Sequence, residues 1–273
     1  MCFLAVLVAG STCFAQTSSS SASGSDEKTL WEIWKARLEK PDEPGPISTN
    51  CLEFVKKNPK DQLAPVAMTI AAWHILKTGN QDATVKLLKT VLSVAKTDTL
   101  LGSSAANMAK AWLTRLDMEQ VKQALQLYYR KHIEYPKTLE GIKPFQKEGQ
   151  PPLVDRWGKP WLYSLSEFQS LKKIGYGMYG QRYQLKSVLL GTNSTLQAAI
   201  KMPYAGGIPL KAVKVLNGTP GKEMVQFETT DGKQSKVILT IGAENGGIVM
   251  SYVGPKLLIL ADANHWQILP RPY

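Results

Sequence analysis

The residue types that do most protein chemistry are few and isolated in this sequence. His74, His132 and His265 are its histidines, and none belongs to a Glu-x-x-His or Cys-x-x-Cys pattern. Zinc sites need several such ligands at close spacing, so we expect no metal site. The acidic pair Asp42 and Glu43 lies among prolines, which is typical of a solvated loop and not of an acid–base pair.

Two further patterns look chemical but lack the structural context that such chemistry requires. Residues 175–180 read Gly-Tyr-Gly-Met-Tyr-Gly, which formally matches a dinucleotide fingerprint. That fingerprint needs a preceding strand, a following helix and an acid about 20 residues further on, and none is predicted here. Cys51 has no neighbouring histidine, so we expect a buried, unreactive thiol. We therefore expect no catalytic or cofactor-binding residues and no enzyme activity, with a hydrolase site formed between domains as an alternative.

The first 26 residues have the composition of an export signal followed by a tether. An apolar run over 3–9 precedes small residues at Cys13 and Ala15, which favours cleavage after Ala15. We expect a signal peptide at 1–15 and a serine-rich linker at 16–26, with lipidation of Cys13 as the alternative. We therefore place the protein in the periplasm or on the outer surface of a bacterial cell.

Composition supports a folded chain and limits the classes of partner. The chain has 273 residues, of which 44% are hydrophobic and 20% charged, enough to bury a core. The net charge of +11 is spread along the sequence without a basic arm, so we expect no nucleic-acid partner. No internal apolar run reaches the roughly 20 residues that span a bilayer, so no transmembrane helix is expected after signal removal.

Hydrophobic periodicity predicts an α+β fold in three parts. Residues 27–116 show apolar side chains three and four apart between proline and glycine breaks, which predicts an antiparallel stack of helical hairpins. This stack resembles tetratricopeptide hairpins in architecture, although the repeat consensus is absent. Residues 117–193 predict a long helix that ends at Pro136, followed by two strands. Residues 194–273 contain short alternating runs, which predict a β-rich small barrel or sandwich. Asp231 and Gly232 favour a hairpin turn within it.

The predicted boundaries of individual elements follow from the same periodicity. A helix from about 103 to 116 closes the first part, and a new helix from Met118 opens the second. The predicted strands are 161–164, 183–188, 212–216, 224–229, 236–241, 248–253, 257–260 and 266–269.

The middle part contains an unusual set of aromatic, proline and glycine residues. A Tyr-Pro-x-x-Leu sequence begins at Tyr135, and an Asp-x-Trp-Gly-x-Pro sequence occupies 155–160 with Tyr163 after it. Over 118–193 this pattern resembles the C-terminal domain of the major pseudopilin of type II secretion systems. The resemblance implies a helix packed on a small sheet. The residues that carry it are interpreted as structural: Tyr128, Tyr135, Pro136, Leu139, Asp155, Trp157, Gly158, Pro160 and Tyr163.

Elementary physical chemistry gives these residues scaffold roles. Asp155 can accept hydrogen bonds from backbone N–H groups of its own turn, and Gly158 permits a backbone angle that other residues resist. Trp157 and Trp161 are large enough to pin the loop against the helix, and we expect them to do so through Tyr128 and Tyr129.

The departures from the pseudopilin pattern limit what the resemblance implies. No prepilin-peptidase site or long apolar helix precedes Met118, so we expect no polymerisation through a membrane helix. The stretch 190–195 aligns with the family's calcium loop but has no carboxylate, so we expect no calcium. Arg156 stands where the family has proline, which predicts a looser turn.

These observations together predict a non-catalytic exported protein. Its expected partners are other secretion or pilus assembly proteins in an envelope assembly, with exposed strand edges as docking surfaces. The alternative is an envelope module that binds anionic glycans or another surface ligand, because positive charge and surface-capable aromatic residues are widely spread.

Overall fold

The computed structural model describes residues 24–40, 43–146, 153–170, 178–190, 196–201, 208–230 and 235–272. Within these ranges the chain is a mixed α+β fold of helices and antiparallel sheets, which confirms the predicted class. The described strands form no closed barrel, so of the two predicted alternatives for the C-terminal part, a small barrel or a sandwich, the barrel is wrong. The predicted signal peptide, most of the linker and the Asp231-Gly232 turn lie outside the described residues.

Five helices form the N-terminal half, and each packs against the next one along the chain. Residues at the N-termini explain where four of these helices begin. The side chains of Asn80 and Thr99 cap the fourth and fifth helices, and prolines occupy the first turns of the second and third. None of the helices that the structure describes is both long enough and apolar enough to cross a bilayer. The helices are α1 (Gly24–Glu39), α2 (Pro44–Lys57), α3 (Ala64–Lys77), α4 (Gln81–Val94) and α5 (Leu100–His132).

The helix α5 runs without a break through the predicted boundary at 116/117. The two helices predicted there are one 33-residue helix, so that prediction is wrong. Arg115 and Asp117 are buried at this point, and partners far away in sequence hold them: Asn264 accepts from Arg115, and Arg156 pairs with Asp117. Buried charges of this kind are stable only with such partners, which a helical pattern does not reveal. One helix therefore joins two hydrophobic cores.

The C-terminal half of α5 carries a short 3-10 helix and a hairpin. The 3-10 helix is Leu139–Phe145, and the hairpin consists of β1 (Leu162–Ser170) and β2 (Met178–Lys186). Both strands were predicted, although each is longer than expected. We call this unit, with the turn at 155–160, the lobe. Its core contains apolar residues of α5, of the 3-10 helix and of the hairpin.

Two further antiparallel sheets follow in sequence after the short helix α6 (Leu196–Lys201). All six predicted strands are present, and a two-residue strand precedes the fourth of them. One sheet has the order β3-β4-β5 and the other β6-β7-β8-β9. Their strands are β3 (Leu210–Asn217), β4 (Met224–Thr229), β5 (Lys236–Thr240), β6 (Glu244–Asn245), β7 (Ile248–Val253), β8 (Leu257–Ala261) and β9 (Trp266–Pro270).

The strand β8 lies between two cores. Leu257 and Ile259 pack against the helices α1–α5, whereas Leu258 and Leu260 pack against the sheet β3-β4-β5. All residues of β8 are buried, which explains its uninterrupted apolar sequence. The sheet β6-β7-β8-β9 is therefore the middle layer between helices and a second sheet. We call the helices α1–α4, the N-terminal half of α5 and this middle sheet the body.

The first turn of α1 is tied directly to the middle sheet. The buried Glu27 carboxylate accepts a hydrogen bond from the Tyr252 hydroxyl at 2.6 Å and from the Lys256 backbone N–H at 2.7 Å. Burial, together with this hydrogen bond, raises the pKa of Tyr252 well above its ordinary value. A Cβ at Gly254 would overlap the Glu27 carboxylate and the Tyr252 ring, so a larger residue there would have to displace this hydrogen-bonded pair. Residues 225 apart in sequence thus close the body.

Candidate functional site

The turn at 155–160 is organised by one buried carboxylate. Asp155 Oδ1 accepts the backbone N–H groups of Trp157 at 3.0 Å and Lys159 at 2.9 Å, and Oδ2 accepts the hydroxyl of Ser187 at 2.8 Å. Gly158 has a φ of +77°, a region that favours glycine. The predicted roles of Asp155 and Gly158 are confirmed. Because Ser187 follows β2, the same carboxylate also fastens the turn to the hairpin.

Arg156 fastens the turn to α5. Its guanidinium pairs with both carboxylate oxygens of the buried Asp117, with Nη2 at 2.8 Å from Oδ1. Its backbone N–H donates to the Thr114 hydroxyl at 3.3 Å. A bidentate, charge-assisted pair fixes orientation as well as distance. The prediction that Arg156 loosens the turn is therefore wrong: it supplies the contact that holds the turn on the helix.

Tryptophan and tyrosine side chains fill the space between the turn, the helix and the hairpin. Trp161 is buried in the lobe core, and Trp157 and Tyr128 pack at its margin. The Tyr163 hydroxyl donates to the Pro136 carbonyl at 2.7 Å, and burial raises the pKa of Tyr163 to about 12. This hydroxyl therefore stays a neutral donor that ties β1 to the segment after α5.

Tyr129 does not take the expected part in pinning the loop. Its side chain is 36% exposed, and its ring contacts Tyr135 with 4.7 Å between centroids. Tyr135 in turn lies edge-on to Tyr183 at 4.8 Å, and its backbone N–H donates to the Gln181 side chain at 2.8 Å. These contacts join the end of α5 to β2 instead of holding the 155–160 turn.

The remaining predicted scaffold residues divide between core and surface. Pro136 and Leu139 are buried, and Gly141 approaches Pro136 so closely that an added Cβ would lie 2.7 Å from the proline Cβ. Pro160 is exposed and forms an isolated antiparallel bridge with Val154, which closes the turn. The structure therefore brings the predicted residues together in one lobe, with Gly158 and Pro160 on its surface.

Three large aliphatic side chains are exposed at the base of the hairpin. Leu162 is 54% exposed, Val188 53% and Leu189 49%. Leu162 lies opposite Lys186 in the strand register, on the face away from the buried Leu185. No other described strand pairs with the outer edges of β1 or β2. We call Leu162, Val188 and Leu189 the hairpin-base patch.

One polar cluster was missed because the histidines were interpreted as isolated. In the turn between β8 and β9, Asp262 Oδ1 accepts the backbone N–H groups of Asn264 and His265, both at 2.6 Å. The Asp262 carboxylate also lies 3.0 Å from His265 Nδ1. Burial lowers the pKa of Arg115, whose guanidinium donates to Asn264, to about 10. An Asp-x-x-His sequence between two predicted strands is the signal that could have found this turn.

A second missed pair lies in the helical core. The buried Arg37 donates from Nε to His74 Nε2 at 3.0 Å, and its guanidinium lies 4.3 Å above the Trp34 ring. Burial, and to a smaller extent the charges of Arg37 and Lys77, lower the pKa of His74 to about 3. Cys51 is buried as expected, and burial raises its pKa to about 12, which makes the thiol unreactive.

Within the part of the chain that the structure describes, no group of three or more His, Cys, Asp and Glu side chains could hold a metal ion. Residues 191–195 of the aligned calcium loop and residues 175–177 of the glycine pattern lie outside the described ranges, and β2 begins at Met178. No family model, curated protein or solved structure matches the chain.

Proposed function

We propose that this chain is a non-catalytic exported protein that contacts secretion or pilus assembly proteins in a bacterial envelope assembly. The observation that supports the proposal best is the hairpin-base patch, because it exposes apolar surface beside unpaired strand edges. Exposed apolar side chains grouped in this way are typical of interaction surfaces. The pseudopilin-like turn lies in the same lobe.

The lobe has the two features that strand addition requires. Its hairpin offers backbone N–H and C=O groups along edges that no described strand covers, and a partner strand can pair with such an edge. The Asp155 carboxylate holds the hairpin in place through Ser187, so the edge is presented in a fixed orientation. The hairpin-base patch then adds side-chain specificity to backbone pairing.

The helical part has a second role in this proposal. We take α1–α5 to be a stack of hairpins of the kind that serves as a scaffold for protein contacts. The lobe would project from this scaffold through α5, which is shared by both regions.

Site-specific crosslinking in living cells tests the proposal. A photoreactive amino acid at Leu162 or Val188 is expected to capture a secretion or pilus component, identified by mass spectrometry. Ile238 is the matched control, because it is 51% exposed but lies on the sheet β3-β4-β5. Failure of both lobe positions to capture such a component, or equal capture at Ile238, contradicts the proposal. Mass spectrometry of the mature N-terminus, with cleavage expected after Ala15, tests export independently.

A further inference from the structure

The residue that ends α5 combines backbone strain with extreme exposure. Ile133 has a φ of 61° and a ψ of 12°, and its N–H donates to the Tyr129 carbonyl at 2.7 Å. Its side chain is 80% exposed, more than any other large hydrophobic residue in the described ranges. Helices that end in this left-handed conformation usually have glycine or asparagine there, because a β-branched side chain is strained.

The sequence around Ile133 contains aromatic and basic residues. Tyr129 precedes it by four residues and Tyr135 follows it by two, and the rings of these tyrosines are in tilted contact. The segment from 129 to 137 contains three exposed basic residues and one acidic residue, Glu134. The basic residues are Arg130, Lys131 and Lys137. We call Tyr129, Ile133, Tyr135 and these three residues the helix-end tip.

A purely structural explanation accounts for part of the helix-end tip only. Basic side chains in the last turn of a helix stabilise its dipole, which is sufficient for Arg130 and Lys131. The same explanation does not cover Lys137, which lies beyond the helix, or an isoleucine that buries almost none of its side chain. A residue with a strained backbone whose side chain does not pack in the fold is a candidate for contact with another molecule.

We propose that the helix-end tip docks on an anionic lipid bilayer surface. A single protruding aliphatic side chain can enter the boundary between headgroups and acyl chains, where tyrosine rings are also favoured. Arg130, Lys131 and Lys137 complement the negative lipid headgroups. A stable protein partner would need a broad complementary surface of roughly 800 Å² on each side, whereas the aliphatic part of this tip is one side chain.

This inference goes beyond the proposed function and does not depend on it. The helix-end tip lies at the end of α5, whereas the hairpin-base patch lies where β1 begins and just after β2 ends. Membrane contact through the first and protein contact through the second are therefore separable by mutation. Failure of one proposal leaves the other intact.

Vesicle co-sedimentation of the full chain tests the inference. Vesicles of phosphatidylglycerol and phosphatidylethanolamine are compared with vesicles of phosphatidylcholine, at low and high salt. We expect the chain to bind the anionic vesicles. Ile133→Gly should weaken that binding about tenfold, because it removes the inserted side chain. Arg130→Gln should weaken it about fivefold and reduce its salt dependence.

Two controls separate binding from folding and from the N-terminal segment. Ile133→Gly relieves the strained backbone, so its melting temperature is expected to rise by about 2–4 °C while binding falls. Ile238→Ser removes an equally aliphatic exposed side chain from another surface and should leave binding unchanged. The variants share the same residues 1–23, so any membrane affinity of that segment cancels in the comparison.

Several outcomes would overturn the inference. They are absence of binding to anionic vesicles, equal binding to phosphatidylcholine vesicles, and binding by Ile133→Gly as strong as that of the unmodified chain. Capture of a protein by a photoreactive residue at 133, without vesicle binding, would assign the helix-end tip to a protein contact and would also overturn it.

Discussion

The body and the lobe share α5 but are stabilised in different ways. The body buries many large apolar side chains completely, among them Trp34 and Trp266. The lobe has a smaller core with tyrosines at its margin, and it relies on the Asp155 carboxylate and the pair between Arg156 and Asp117. Apolar burial adds up over many residues, whereas a directional contact depends on one atom pair.

This difference indicates which region of the molecule can open locally without global unfolding. A region that depends on a few hydrogen bonds can open locally while a large apolar core stays closed. The lobe, whose apolar core is the smaller of the two, also carries the exposed hairpin-base patch that we propose as a contact surface. Three predictions test whether the two regions are energetically distinct.

The largest effect is expected in the body. Trp266→Ala should lower the free energy of unfolding by about 3–5 kcal/mol, because it leaves a cavity between helices and sheet. It also removes the 2.7 Å hydrogen bond from the indole N–H to the Thr69 hydroxyl. Urea denaturation measures the loss, and Trp266→Phe serves as a smaller-loss control. If only the lobe lost hydrogen-exchange protection, the assignment of Trp266 to the body would be incorrect.

An intermediate effect is expected in the lobe. Asp155→Ala removes the acceptor of three hydrogen bonds and should destabilise the lobe by about 2–4 kcal/mol. Hydrogen exchange should then accelerate in β1 and β2 while α3 and β8 keep their protection. Ser187→Ala removes one of the three bonds and should cost about 1 kcal/mol. Uniform acceleration throughout the chain would show that the two regions unfold together.

The smallest expected change in the free energy of unfolding comes from the protonation of His74, in the body, at moderately acidic pH. Because the pKa of His74 is about 3 in the folded state and near 6.5 in the unfolded chain, the unfolded chain binds the extra proton between these values. The free energy of unfolding should therefore be nearly constant above about pH 7.5, and well below pH 6.5 it should fall by about 1.4 kcal/mol per pH unit. Denaturation at pH 7 and pH 6, which lie on either side of the unfolded-state pKa, should show an average slope of about 0.7 kcal/mol per pH unit. His74→Gln should flatten it, and an equal slope in that variant would contradict the assignment.

The strands and the turn of this fold could be predicted because their signals are local. The alternation in β3–β5 follows from one buried face, and the roles of Asp155 and Gly158 follow from the geometry of a single turn. Neighbouring residues determine both, so no knowledge of distant contacts is required.

The contacts between regions could not be predicted because their partners are far apart in sequence. In the sequence, Arg115 and Asp117 look like charged residues that would interrupt a buried helix. The structure shows that Asn264 accepts a hydrogen bond from Arg115 and that Arg156 pairs with Asp117. The burial of β8 on both faces could be predicted from its uninterrupted apolar sequence. The exposure of Ile133 could not, because isoleucine is ordinarily a core residue.

The Glu27 contact with Tyr252 and Lys256 has a consequence for biosynthesis. A ribosome or a translocation channel releases this chain from its N-terminus, so α1 emerges long before the strands that cover it. During that interval the apolar sides of α1 and α3 have no sheet to pack against. The nascent chain is therefore expected to need a chaperone until β7–β9 have emerged, and a premature stop codon before Leu257 should yield a product that cellular proteases degrade.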